Sequence, residues 1–130
     1  IKKDISIWNI NSIAEFYLQI CEKYSNDYRA ALEKFKIVRE KFVKELRNIP
    51  HLRVIPSQAN FVMCEVLGGY AAEKLSETLL YEDNILIKDL SAKKGINGQY
   101  IRVAVKTCEE NSLLLTALHR VLGQVKNKIA

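Results

Sequence analysis

Proline and glycine are scarce in this chain, two and five among 130 residues. With 48% hydrophobic and 27% charged residues, that is the composition of an ordinary soluble globular domain, without low-complexity segments. Cysteine is scarce too. Cys21, Cys64 and Cys108 are odd in number and far apart, without C-x-x-C spacing, and neither His51 nor His119 stands near them in sequence. A disulfide framework and a metal site are therefore not expected; buried, reduced thiols of a cytoplasmic protein are. No apolar run approaches the ~18 residues of a membrane span. The opening stretch IKKDISIWNI lacks the apolar core of a signal peptide, so no membrane partner is expected. Its first residue is Ile rather than Met, which leads us to expect a processed or excised segment. The chain also lacks a P-loop, a G-x-G-x-x-G, a G-x-S-x-G and an H-E-x-x-H. Nothing in the spacing of Ser, Asp and His suggests a catalytic triad.

One charge sign is in modest excess: 20 Lys and Arg against 15 Asp and Glu, a formal +5. A nucleic-acid reader concentrates its cations on one helix or arm. Here they are spread along the chain among acids, so they read as solvated helix faces and no nucleic-acid partner is expected. A free-standing basic α+β module that binds nucleic acid or protein stays open as a rival.

What is present is a succession of short amphipathic elements. Ser12 with Glu15 three residues later predicts a capping box and a helix over NSIAEFYLQICEKY. SNDY interrupts that pattern. A longer helix then carries Tyr28, Ala31, Leu32, Phe35, Val38, Phe42 and Leu46 on one stripe and ends at Pro50. Pro56 divides LRVIPSQANFVMCEV into strands at 52–55 and 60–66. Gly68 and Gly69 mark a turn before the helix YAAEKLSETLL, NILIKDL reads as a strand at 84–90, and SAKKGING as a loop. A strand at 99–105 leads into a second capping box, Thr107 with Glu110. The last helix is expected to bury Leu113, Leu114, Ala117, Leu118, Val121 and Leu122. Helices and strands mixed without regular βαβ alternation predict an α+β fold, a small, mostly antiparallel sheet covered on one face by helices.

Within YIRVAVKTCEEN, Ile101, Val103 and Val105 share one face of a strand, and Tyr100, Arg102 and Ala104 share the other. If the strands at 84–90 and 99–105 are antiparallel neighbours, Lys88 and Arg102 lie together on the uncovered face. Two cations there are either plain solvent-facing charges or the two sides of an anion site, since Arg offers a planar fork and Lys a point charge.

The segments WNINSIAEFYLQ, SQANFVMCEV, NILIKDL and QYIRVAVKTCEEN occur in that order. Together they resemble the C-terminal part of class I/II pyridoxal-phosphate-dependent aminotransferases. The likeness is to the histidinol-phosphate aminotransferase and threonine-phosphate decarboxylase branch, over roughly residues 7 to 123. The resemblance implies a connecting segment and helix at 1–24 and an aminotransferase small domain at 25–130. It implies that the catalytic large domain is absent from this chain, and with it the residues that bind pyridoxal 5'-phosphate and the lysine that anchors it. No catalytic residue is then expected here, and the segment alone should be inactive. By the same likeness, Arg102 would bind the carboxylate of an amino-acid or 2-oxo-acid substrate. Lys88 would hold a second anionic group, and Asn60, of S-x-A-N-F, would either face substrate or make a backbone contact at the strand start. The reaction would be amino-group transfer in a homodimer, or, on the same scaffold, decarboxylation of a phospho-amino acid. Two residues depart from the family pattern: Lys88 stands where arginine is usual, and Lys106 where glycine is usual. LSAKKG superficially resembles the cofactor-lysine motif but sits between the last two strands, so Lys93 and Lys94 read as loop residues.

Overall fold

Asn11, not Ser12, opens the first helix, α1 (Ser12–Cys21). In the computed structural model, which describes residues 10–124, the Asn11 side-chain oxygen accepts the Ala14 amide at 2.9 Å. Asn caps as well as Ser, so the start needs no help from Glu15, and Ser12 becomes the first helical residue. The second helix, α2 (Ser25–Leu46), begins earlier than expected. SNDY forms its first turn, where a short polar residue and Asp27 suit the exposed N–H groups and the positive end of the helix dipole.

The chain divides into two compact units, one ending at Lys36 and one starting at Ile37. In the first, Ile13, Phe16, Tyr17, Leu18, Tyr28 and Leu32 are exposed. The apolar stripe expected along all of α2 is buried only in the second unit, at Phe42 and Leu46.

That second unit is built on a four-stranded antiparallel sheet of β1 (Leu52–Val54), β2 (Phe61–Val66), β3 (Lys88–Asp89) and β4 (Tyr100–Ala104), in the order β1-β2-β4-β3. The two remaining helices, α3 (Ala72–Asp83) and α4 (Cys108–Gly123), supply the rest of the core. Strand alternation sorts the residues cleanly. Val62, Cys64, Val66, Ile101 and Val103 are buried with Leu75, Leu79, Leu118 and Leu122, each large side chain worth about 1.5–3 kcal/mol of transfer free energy. The architecture is the expected α+β one.

Three expectations change in detail. The strand expected at 84–90 is reduced to two residues, because Asn84 adopts a left-handed conformation (φ 55°) as the C-cap of α3 and Ile85 N–H donates to Leu79 O. The cap uses the backbone that a longer ladder would need. In α4 the capping box is present as expected, with Glu110 N donating to Thr107 Oγ1 and Thr107 N to the Glu110 carboxylate. Leu113, however, is 65% exposed, while Asn111 and Leu115 are buried. Positions 111, 114–115, 118 and 121–122 follow the helical repeat, and 113 falls off it. Of the cysteines only Cys64 is buried, its thiol pushed up to about 12 by desolvation; Cys21 is half-buried, Cys108 exposed, and all three are free. Among the described residues no helix is long and apolar enough to cross a membrane.

Candidate functional site

The face of the sheet opposite the core carries parallel rows of side chains, two of them charged. Register pairs Arg53 with Glu65 and Glu65 with Tyr100, giving one row across β1, β2 and β4. It pairs Met63 with Arg102 and Arg102 with Lys88, giving the next row across β2, β4 and β3. Directly opposed residues in an antiparallel pair hold their Cβ atoms about 4.5–5.5 Å apart. The structure therefore brings together the two cations that the alternation had placed on one face. Among the described residues no carboxylate forms an ion pair with either.

The strands are fixed by neighbours on both sides. Before β2, Ser57 Oγ accepts the Ala59 amide and donates to Phe61 O at 2.6 Å. Arg39 of α2 donates to Gln58 O at 2.6 Å and to Gln58 Oε1 at 3.1 Å. This turn delivers Asn60 and Phe61. The Asn60 carbonyl accepts Val105 N–H, extending the β2–β4 ladder, and its side chain is exposed at the margin of the groove described below. On the other side, β3 is held by Ser76 Oγ donating to Ile87 O and by Leu90 N–H donating to Tyr100 O. Both Asp89 carboxylate oxygens are taken by Ser91, one by its amide and one by its hydroxyl. That acid is thus engaged in its own turn, next in sequence to Lys88.

An open groove of about 650 Å³ lies over this end of the sheet, lined by Asn60, Phe61, Ser76, Leu86, Ile87, Lys88, Asp89, Arg102 and Ala104. All three predicted binding residues line it. The Arg102 Cζ lies over the Phe61 ring, 5.0 Å from its centroid, and Leu86 is 78% exposed at the groove. Sequence reasoning passed over Phe61, Leu86 and Ala104. Phe61 and Ala104 were findable, since strand parity puts both on Arg102's face; Leu86 shares the parity of Lys88 in the strand expected at 84–90, although it lies outside the ladder that forms.

Lys106 stands where glycine is usual, yet its backbone is not left-handed: among the described non-glycine residues only His51 and Asn84 have positive φ. Its backbone is held by the buried Asn111 amide, which accepts from Lys106 N at 2.9 Å and donates to Lys106 O at 3.1 Å, and its ammonium pairs with Glu110. Lys93 and Lys94 are exposed residues of the loop after β3, as expected, and do not line the groove. Among the described residues no group of His, Cys, Asp and Glu could hold a metal ion. What the groove offers is two adjacent cations with free N–H donors between apolar walls, an arrangement suited to an anion attached to a small organic body.

Comparison with known proteins gives the family. The sequence profile described as aminotransferase class I and II matches residues 11–118. The L-serine phosphate decarboxylase of Sulfurospirillum multivorans is 33% identical over 122 residues, covering 92% of this chain and 31% of that protein. A histidinol-phosphate aminotransferase of Caldanaerobacter subterraneus is 38% identical over 85 residues, covering 65% of this chain and 23% of that one. In three dimensions, the crystal structure of the histidinol-phosphate aminotransferase from Clostridium acetobutylicum superposes with a TM-score of 0.80 at 32% identity, over 94% of this chain and 36% of that one. The chain thus spans about a third or less of the length of these relatives. On the profile match and these likenesses, the chain belongs to the class I and II aminotransferase family.

Proposed function

We propose that residues 25–130 form the substrate-binding small domain of a pyridoxal-phosphate-dependent aminotransferase, with residues 1–24 connecting it to a large domain outside this sequence. The observation that carries the reading is the cross-strand pair Arg102 and Lys88, unpaired with any described carboxylate and open to a groove. Arg102 presents two parallel N–H donors to a carboxylate and so fixes its plane as well as its charge. Lys88 adds a point charge for a second anionic group. Asn60 contributes an amide at the margin, and Phe61 and Leu86 offer apolar surface beside the two cations.

The described residues do not suit the cofactor itself. Lys93 and Lys94 stand on an exposed loop outside the groove. Where bound, in the large domain, pyridoxal phosphate supplies the electron sink for amino-group chemistry on an amino acid and a 2-oxo acid. A homodimer and a cytoplasmic setting go with this reading. A second reading, decarboxylation of a phospho-amino acid, is favoured by the likeness to an L-serine phosphate decarboxylase across nearly the whole chain. In either case a phosphorylated substrate gives Lys88 its anion.

The test is kcat/KM in an enzyme that carries this chain, with phosphorylated and unphosphorylated amino acids, following both amine transfer and CO2 release. Losing one side of a desolvated ion pair costs ~2–5 kcal/mol. Arg102→Lys keeps the charge and should fall at the lower end, roughly 30-fold in kcat/KM. Lys88→Ala should cost more for the phosphorylated substrate than for the plain one, and Lys88→Arg should be neutral or favourable. If Arg102→Lys were silent on every substrate, Arg102 would be an ordinary surface charge. Steeply salt-dependent binding to generic duplex DNA would favour the basic-module reading instead.

A further inference from the structure

Three features place Phe61 in an unusual position. It is a large aromatic on the solvent side of β2, 38% exposed, while its neighbours in the same strand, Val62 and Cys64, fill the core. Its direct cross-strand partner is Ala104, too small to cover the ring. Arg102, the diagonal neighbour two residues along β4, occupies that space instead, with its Cζ over the ring at 5.0 Å. Diagonal pairs in a sheet lie within reach of aromatic and long side chains, so the small residue at 104 is what lets the guanidinium settle there.

We infer that Phe61 is the positioning residue for Arg102, an aromatic platform that holds the guanidinium over the groove without using up its hydrogen-bond donors. The alternative way to hold an arginine, a carboxylate, would occupy the same N–H groups that a ligand needs. A ring attracts the cation through its π face and leaves the N–H groups free for an incoming anion. The rotamer freedom that a long side chain would lose on binding is then partly lost beforehand. This rests on the reading of Arg102 as the anion hook.

The test uses the full 130-residue chain, 15N-labelled, with the Arg102 Nε–H resonance followed during titration with inorganic phosphate. Variants are Phe61→Leu, Phe61→Tyr and Arg102→Lys. In the free protein, the ring should shift the Arg102 resonance upfield; Phe61→Leu should abolish that shift and Phe61→Tyr should keep it. Phosphate binding should weaken about three-fold in Phe61→Leu, the order expected for one exposed cation–π contact, and stay within about two-fold in Phe61→Tyr. Backbone amides of β2 and β4 report whether the strand itself has moved. A Phe61→Leu chain that binds as tightly as the parent, or a Phe61→Tyr chain as weak as Phe61→Leu, overturns the inference while a loss in Arg102→Lys leaves the hook standing. If Arg102→Lys binds phosphate unchanged, as seen at the Lys88 and Ala104 amides, the hook itself fails, and the platform with it.

Discussion

Arg53 and Arg102 lie on the same face of one small sheet, in adjacent rows, and are treated oppositely. Register sets Glu65 directly across from Arg53, and the two form an ion pair, with Arg53 Nε donating to Glu65 Oε2 at 2.5 Å. The Glu65 contact raises the Arg53 guanidinium above its ordinary value, hydrogen bond first and charge second, with a smaller contribution from the Tyr100 hydroxyl in the same row. One row over, register sets Met63 on one side of Arg102 and Lys88 on the other. Met63 cannot neutralise a cation and Lys88 adds a second one. A cross-strand carboxylate marks an arginine that the fold has satisfied. An arginine flanked by a thioether and an ammonium has been left for something that the chain does not supply.

The largest expected effect separates the two faces at consecutive positions. Ile101 is fully buried, opposite Cys64 on the core face of the sheet, so Ile101→Ala should cost about 2–5 kcal/mol. Arg102→Ala, one residue on and facing the groove, should change stability by no more than ~1 kcal/mol, the order of its exposed contact with the Phe61 ring, while removing anion binding. Urea unfolding of the two variants measures the split. A large stability loss in Arg102→Ala would mean that the residue is structural after all.

Much of this contrast was legible in the sequence. Alternation of Ile101, Val103 and Val105 with Arg102 and Ala104 set the faces, and the adjacency of Lys88 to Arg102 followed once the two strands were taken as neighbours. The second capping box was legible because it is a local pattern, confined to Thr107 through Glu110. What escaped was tertiary or rested on competing local chemistry. Arg39 grips Gln58 from 19 residues away, and no periodicity announces such a contact. The shortening of β3 came from Asn84 closing α3, a cap that only the backbone reveals. Phe61 escaped because it reads as one more strand aromatic until its neighbour Ala104 is seen to be too small to cover it.

A middle-sized effect comes from exchanging the character of the rows. Met63→Glu places a carboxylate opposite Arg102, as Glu65 stands opposite Arg53. Hydrogen bonds to charged groups are worth ~1.5–3 kcal/mol, so the new internal partner should weaken phosphate binding at Arg102 about ten-fold or more. Glu65→Met makes the reverse change and should leave Arg53 able to take up phosphate, with a new set of shifted amides at Arg53 and Tyr100. Calorimetry or chemical-shift titration of both variants tests the exchange. Unaltered binding in Met63→Glu would show that lack of a carboxylate partner is not what opens the site.

The smallest effect concerns the third cation on this line. Lys106 follows Arg102 and Ala104 at the same strand parity, but its ammonium is neutralised by Glu110 from the first turn of α4. The Glu110 carboxyl is held below its ordinary value of 4.5, chiefly by the hydrogen bond from Lys106 and then by the Thr107 backbone amide. A carboxyl whose folded value is depressed binds its proton less tightly in the folded chain than in the unfolded one. Its contribution to stability is therefore complete above the unfolded value and is lost as pH falls through the folded one. Thermal unfolding should accordingly show a small advantage of the parent over Glu110→Gln at neutral pH, which fades as pH is taken below about 4.5. Salt should reduce the part due to Lys106, because the pair is exposed, and should spare more of the part due to the backbone cap. A Glu110→Gln deficit that stays constant from pH 7 to pH 3 would show that charge plays no part. Lys106 would then be as unneutralised as Arg102, and the contrast along β4 would rest on the cross-strand partners alone.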